Sequence, residues 1–182
     1  MRFLSLELEG FKVYREPSSV SFSEGLNLFI GPNRAGKSTL LEAVLVALYG
    51  PSRERTGRLS RTLLRSWAGA EASRVALTYE AQGGVYRIER DISRGKVLMS
   101  RARDGGAFEA LTPERGRIEE LVSEHTGFPE LPLLTACAFI RQGELERVRQ
   151  ELPRLGSVLQ RALTGGAGGP RGRGSMSGLR KS

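Results

Sequence analysis

The chain has 182 residues, 39% hydrophobic and 26% charged, with a formal net charge of +8 and a pI near 10.3. These values fit one folded domain with a sizeable core and exclude an intrinsically disordered chain. No apolar run approaches the roughly 20 residues a membrane-spanning helix needs, and the excess positive charge favours nucleic acid or another polyanion as partner.

Part of that excess is tail: residues 165 to 182 carry four basic and no acidic side chains, and removing those four from +8 leaves +4. The remainder keeps an excess of positive charge that can form a basic face. Cys137 is the sole cysteine and can form no intramolecular disulfide. The N-terminus alternates like a strand rather than a signal peptide, so a cytoplasmic chain is expected.

In chain order, Phe3 to Glu9 sets Leu4, Leu6 and Leu8 on one face, the period of a half-buried strand. Gly10 interrupts it, and Phe11-Lys12-Val13-Tyr14 follows as a second extended or turning piece. A short strand follows at Val20-Ser21-Phe22, then a turn at Ser23-Glu24-Gly25. Leu26 to Ile30 is mostly apolar and ends abruptly at Gly31-Pro32, which predicts a buried strand. From Ser38 to Tyr49 the period becomes helical, with Leu41, Val44, Leu45 and Leu48 in one stripe and Gly50-Pro51 as the stop.

Ser52 to Arg65 reads as loop or short helix. Three strands are expected at Val75–Glu80, Val85–Ile92 and Val97–Arg103, joined by turns at Gln82-Gly83-Gly84 and Ser93-Arg94-Gly95. Thr112 as cap, Pro113 in first position and Glu114 in the first turn open a helix that ends near Gly127. His125, near its end, suits capping or a surface place better than catalysis. Leu131 to Ile140 is apolar and fits helix or strand equally, with Cys137 expected as a core thiol. A polar helix to about Leu163 follows. The Gly-rich remainder lacks the apolar surface to order itself, so the expected division is a lobe over 1–164 and a flexible tail over 165–182.

The chemistry concentrates at Gly31-Pro32-Asn33-Arg34-Ala35-Gly36-Lys37-Ser38, which satisfies the G-x-x-x-x-G-K-[ST] phosphate-loop pattern and is followed by Thr39. Glycines allow a turn tight enough for successive N–H groups to converge on phosphate oxygens. The helix that follows adds its positive end. Lys37 can reach the β- and γ-phosphates, and the Ser38 hydroxyl is a hard oxygen suited to Mg²⁺. Four lysines stand against 24 arginines in this chain. The lysine at 37 is therefore informative, because arginine cannot replace its compact charge there.

Phe11-Lys12, Glu24 to Leu28, Gly31 to Ala43 and Phe139-Ile140-Arg141-Gln142-Gly143-Glu144 together resemble the N-terminal half of the SMC-type ABC ATPases of DNA double-strand-break repair, the SbcC class, with YhaN-like ATPases close behind. The resemblance covers about residues 1–164. It implies an α/β fold: a P-loop ABC-type N-terminal lobe with a mixed sheet, an antiparallel β subdomain and flanking helices. It also implies ATP with Mg²⁺ as ligands. Gln142 would be the Q-loop glutamine, contacting Mg²⁺ and the attacking water; without the family it is only a polar residue after an apolar run. Lys37 and Gln142 would act in catalysis, and Ser38 and Gln142 would hold the metal. Lys12, Asn33, Arg34, Ala35, Gly36, Thr39, Ser66 and Trp67 would join them around the nucleotide. Asn33 would face the γ-phosphate. Trp67 would border the adenine, with a core or lid-packing role equally open.

Implied partners are the C-terminal lobe of the same ATPase, a second ATPase head, an SbcD-type nuclease subunit and DNA, with no membrane. Two features depart from the pattern. Arg34 replaces a common small residue, as in YhaN-like members. No strand ending in Asp-Glu follows Gln142, no Leu-Ser-Gly-Gly-like signature is present, and there are no sustained heptads. The expectation is thus an ATP–Mg²⁺-binding half that alone hydrolyses slowly or not at all. The alternative is a stand-alone or regulatory YhaN-like nucleotide-binding module. A GTPase lacks its Asn-Lys-x-Asp motif here and a small kinase its lid; a DNA-binding protein with a vestigial phosphate loop would ignore ATP.

Overall fold

In the computed structural model the N-terminal alternation becomes β1, Arg2–Glu9, paired antiparallel with β2, Ser18–Ser21. The structure describes residues 1–52, 59–65, 72–103, 106–128 and 131–138. Four further strands follow: β3 (Arg74–Ala81), β4 (Gly84–Asp91), β5 (Lys96–Ala102) and β6 (Phe108–Thr112). The six lie in the order β2-β1-β3-β4-β5-β6, each neighbouring pair antiparallel. The helices are α1 (Lys37–Tyr49), α2 (Arg61–Leu64), α3 (Arg115–Thr126) and α4 (Leu131–Ala138). The chain divides into two compact units, Met1–Pro132 and Leu133–Ser182, and the sheet with α1 to α3 belongs to the first. Among the described residues no helix is long and apolar enough to cross a membrane.

Strand register explains the core. Leu6 pairs with Leu77, Leu77 with Ile88 and Ile88 with Met99, so one row of apolar side chains crosses β1, β3, β4 and β5. All four are fully buried. Slipping any strand by one residue would turn its row outward, so burial of this row enforces the register. The opposite face is charged, and there Arg87 grips Glu7 through two hydrogen bonds of 2.7 and 2.8 Å. Those bonds hold the Glu7 carboxyl below its ordinary range. The β3–β4 connection is the expected tight hairpin: Gln82 and Gly83 both take positive φ, 48° and 72°, as a two-residue turn matched to strand twist requires.

α1 covers the apolar face. Nine of its thirteen residues are buried, Leu40 and the whole run Ala43 to Leu48 among them. A helix apolar nearly all round must be enclosed, and this one packs across β1, β3 and β4 and touches α3. Both its ends are held by side chains from elsewhere. At the start Gly36 takes φ 94°, and a β-carbon there would stand 2.9 Å from both Tyr14 Oη and Val13 Cγ2. At the far end Arg90, 5% exposed, donates from Nε to the Ala47 carbonyl at 2.7 Å and from Nη2 to the Leu48 carbonyl at 2.9 Å. A cation on a helix C-terminus meets the negative end of the dipole and satisfies carbonyls that the helix cannot.

The structure corrects three expectations. Leu26 to Ile30 is not a buried strand. It joins no ladder among the described residues, and Leu26, Leu28 and Ile30 are 91%, 74% and 86% exposed. Asn27 is tied back to Ser23, and Phe29 meets the Phe22 ring edge-on. A strand needs a neighbouring strand, and none of the described segments reaches this one. The helix expected from Thr112 starts at Arg115 instead, because Thr112 ends β6; its Oγ1 accepts the Glu114 N–H at 3.0 Å. The unforeseen β6 has four exposed residues of five and hence no apolar alternation to read. His125 is neither cap nor surface. It is 8% exposed, 4.4 Å centroid to centroid from Tyr86 and 3.0 Å from Tyr79 Oη through Nδ1. The 131–140 ambiguity resolves to helix over 131–138, while the segments after 138, the tail included, lie outside the described residues. So does the Cys137 side chain.

Gly36→Ala should destabilise the chain by roughly 1–3 kcal/mol through its left-handed backbone alone, measurable by urea denaturation. His125 gives the core a pH dependence. Burial holds it below its ordinary value of 6.5, which favours a neutral imidazole in the folded state, hydrogen-bonded through Nδ1 to Tyr79 Oη. As pH falls through about 6.5 the unfolded chain therefore takes up a proton first, and stability falls on acidification. The melting midpoint should drop between about pH 8 and pH 5, with a shallower slope in His125→Gln. An unchanged slope would remove His125 from the account.

Candidate functional site

The residues from Gly31 to Thr39 lie between the exposed segment Leu26 to Ile30, which is unpaired among the described residues, and the start of α1. Asn33, Arg34 and Ala35 are exposed along the loop, and Arg34 takes φ 69°, uncommon for a residue with a β-carbon. The turn closes on itself: the Ala35 N–H donates to the Pro32 carbonyl at 3.2 Å, and a β-carbon at Gly31 would lie 3.3 Å from that of Ala35. Gly36 is the N-cap of α1. It offers no side-chain cap, and the first turn holds no acid. The first N–H groups of α1 therefore face the loop with no side-chain acceptor, which is the condition for binding an anion.

Lys37 folds back over the loop, its Nζ donating to the Gly31 and Pro32 carbonyls at 2.7 Å each. Those carbonyls hold the ammonium at the mouth, where an incoming phosphate can exchange for them. Ser38 is not buried and is able to meet a ligand, whereas Thr39 is only 8% exposed and begins the buried part of α1.

Lys12 is tied to the phosphate-loop helix by a route the sequence did not show. Phe11 and Tyr14 close a tight turn, the Lys12 N–H donates to the Leu64 carbonyl at 2.9 Å, and Lys12 Nζ lies 2.5 Å from Glu42 Oε2. Glu42 sits on α1 and is 8% exposed. A carboxylate in that position needs a cation, and Lys12 supplies it. Next along the turn, Tyr14 Oη donates to the Gly36 carbonyl at 3.4 Å, a long bond. Glu42 and Tyr14 are the residues that sequence reasoning missed. A single acid inside Leu40 to Leu48 was the available signal for Glu42; Tyr14 left none. Ser66, Trp67 and Gln142 lie outside the described residues, so the structure brings together the loop and Lys12 and makes no statement about the other three.

The AAA domain family matches residues 5–153. The SbcC component of nuclease SbcCD from Deinococcus radiodurans is 32% identical over 174 residues, which cover 91% of this chain and 18% of that protein. The DNA double-strand break repair Rad50 ATPase of Pyrococcus abyssi is 30% identical over 147 residues, 79% of this chain and 16% of that protein. The chain thus spans less than a fifth of these curated relatives. A solved structure from work on ATP-driven dimerization and DNA stimulated activation of SMC ATPases superposes with a TM-score of 0.60 at 19% identity, covering 90% of this chain and 99% of that one, which shows a shared fold. With its phosphate loop set on a helix over an antiparallel sheet, the chain belongs to the AAA domain family, on the SMC-type ABC ATPase branch of the SbcC and Rad50 class.

Proposed function

We propose that this chain is the ATP–Mg²⁺-binding half of a DNA double-strand-break repair ATPase head. The observation that carries the reading is the start of α1: a glycine N-cap, no acid in the first turn, and Lys37 held across the loop mouth by two carbonyls. Incoming phosphates would replace those carbonyls as partners of Lys37 and take the N–H groups of the helix end. Ser38 would ligate Mg²⁺ through its hydroxyl, an oxygen donor of the kind that ion prefers. Lys12, Asn33, Arg34, Ala35, Gly36 and Thr39, with Ser66 and Trp67, complete the proposed nucleotide contacts, and Gln142 would join the metal and the attacking water.

The exposed segment Leu26 to Ile30 supports the idea of a half. Four large apolar side chains, Leu26, Leu28, Phe29 and Ile30, face water, a cluster that marks an interaction surface. In this reading strands of a C-terminal lobe pair with it and bring the carboxylates this chain lacks. Two such heads would then enclose ATP, with an SbcD-type nuclease and DNA as partners. The SbcCD and Rad50 relatives support that assignment.

Equilibrium titration of the full chain with ATP and Mg²⁺ should show saturable binding, and Lys37→Ala should weaken it by about tenfold or more, the loss of one charge-assisted contact. Turnover by the chain alone should be very slow. Ordinary hydrolysis that Lys37→Ala leaves untouched would overturn the reading.

A further inference from the structure

At the C-terminal end of α1, far from the phosphate loop, the described residues line a cavity of about 770 Å³ whose charge is nearly of one sign. Its walls come from Pro51 and Ser52, the start of α2, the β4–β5 connection and the start of α3. Four cations line it, Arg61, Arg90, Lys96 and Arg115, against the one carboxylate of Asp91. That carboxylate is already engaged: Oδ1 accepts the Arg94 N–H at 2.8 Å, and Oδ2 lies 3.7 Å from Arg74 and from Arg94.

Arg90 is the key wall residue. Its Nε and Nη2 are used on α1, but Nη1 has no hydrogen-bond partner among the described residues. Nη1 also stands beside a second guanidinium. A β-carbon on Gly50 would lie 3.2 Å from Arg90 Nη1 and 3.6 Å from Arg115 Nη2. Burial first, and the nearness of Arg115 second, lower Arg90 to about 10. Two like charges thus converge on one point, with Glu119, bonded to Arg115 Nε at 2.7 Å, as the neighbouring counter-charge.

Two further observations point the same way. Ser60 lines the cavity, is 2% exposed, and its Oγ has no partner among the described residues; buried hydroxyls without partners are rare because they forfeit their hydration. α3 begins at Arg115 after an exposed N-cap, Glu114, whose side chain makes no cap hydrogen bond, and its first turn holds no acid. It therefore adds uncapped N–H groups and a positive helix end to a wall that is already cationic.

We propose that this cavity is a second oxyanion site that takes the phosphate group of a small molecule. An anion here would relieve the Arg90–Arg115 pair, accept from Nη1, and give Ser60 an acceptor after a rotation about χ1. The thirteen residues of α1 put about 20 Å between this site and the phosphate loop, so the two are separate. The volume falls in the usual range of small-ligand cavities, roughly 300–1,000 Å³. The cations gather around a hollow rather than along a stripe, which fits one phosphate group better than a nucleic-acid backbone.

The test is calorimetric titration of orthophosphate and of pyrophosphate into the full chain carrying Lys37→Ala, with EDTA present so that no Mg²⁺ supports the phosphate loop. Saturable binding of either probe is expected, and which one binds tighter separates a single phosphate from a phosphate chain. Lys96→Gln with Arg115→Gln should weaken it about tenfold or more while the ligand-free melting midpoint stays level or rises, since both side chains are exposed and the Arg90–Arg115 repulsion is removed. Ser60→Ala should weaken binding while leaving that midpoint unchanged or higher. No saturation, or affinity unaltered in these variants, overturns the site. So does duplex DNA retention that depends on Lys96 and Arg115 in a chain that takes up neither probe.

Discussion

Arg90 reaches from β4 to the last carbonyls of α1 and closes the far end of the helix whose near end carries the phosphate loop. Everything functional about this lobe depends on where α1 sits, and α1 is apolar on nearly every side. Apolar contact alone would allow such a helix to slide or roll on the sheet, because dispersion and burial have no direction. The buried guanidinium is directional. It fixes the helix end to one residue of one strand, while Lys12–Glu42 and the close approach of Tyr14 and Val13 to Gly36 fix the other end.

The sheet is the rigid body to which these ties run. Its row of Leu6, Leu77, Ile88 and Met99 makes register and burial the same requirement. Polar pairs add to the row: Tyr79 with His125, Arg87 with Glu7 on the opposite face, and Tyr49 Oη with the Phe128 carbonyl at 3.1 Å. Each of those pairs joins elements distant in sequence. They specify the arrangement that apolar burial makes stable, and they tie α3 into the same body as α1.

One part of the lobe is left open. The segment that enters the phosphate loop joins no ladder among the described residues, and its Leu26, Leu28, Phe29 and Ile30 face water. The chain spans less than a fifth of the curated relatives it matches. The basic cavity at the other end of α1 uses the same Arg90 that anchors the helix. A ligand there would act on the member that positions the phosphate loop.

Local sequence was enough for α1, the three strands β3 to β5 and the Gln82-Gly83 hairpin, because each rests on short-range rules: an apolar period, a turn that demands positive φ. It failed wherever a partner decides the outcome. Leu26 to Ile30 has the composition of a buried strand, but pairing is a property of neighbours and none of the described segments supplies one. β6 is a strand only because β5 offers it an edge, and Thr112 is strand rather than cap for the same reason. His125 gained its buried place from Tyr79 and Tyr86, and Glu42 its cation from Lys12, across separations of 46, 39 and 30 residues. The sequence by itself determined the run from Gly31 to Ser38 that matches the phosphate-loop pattern, since that pattern is contiguous. Only the tertiary structure decided what holds those residues in place, because the ties come from side chains that meet through folding and carry no local signal.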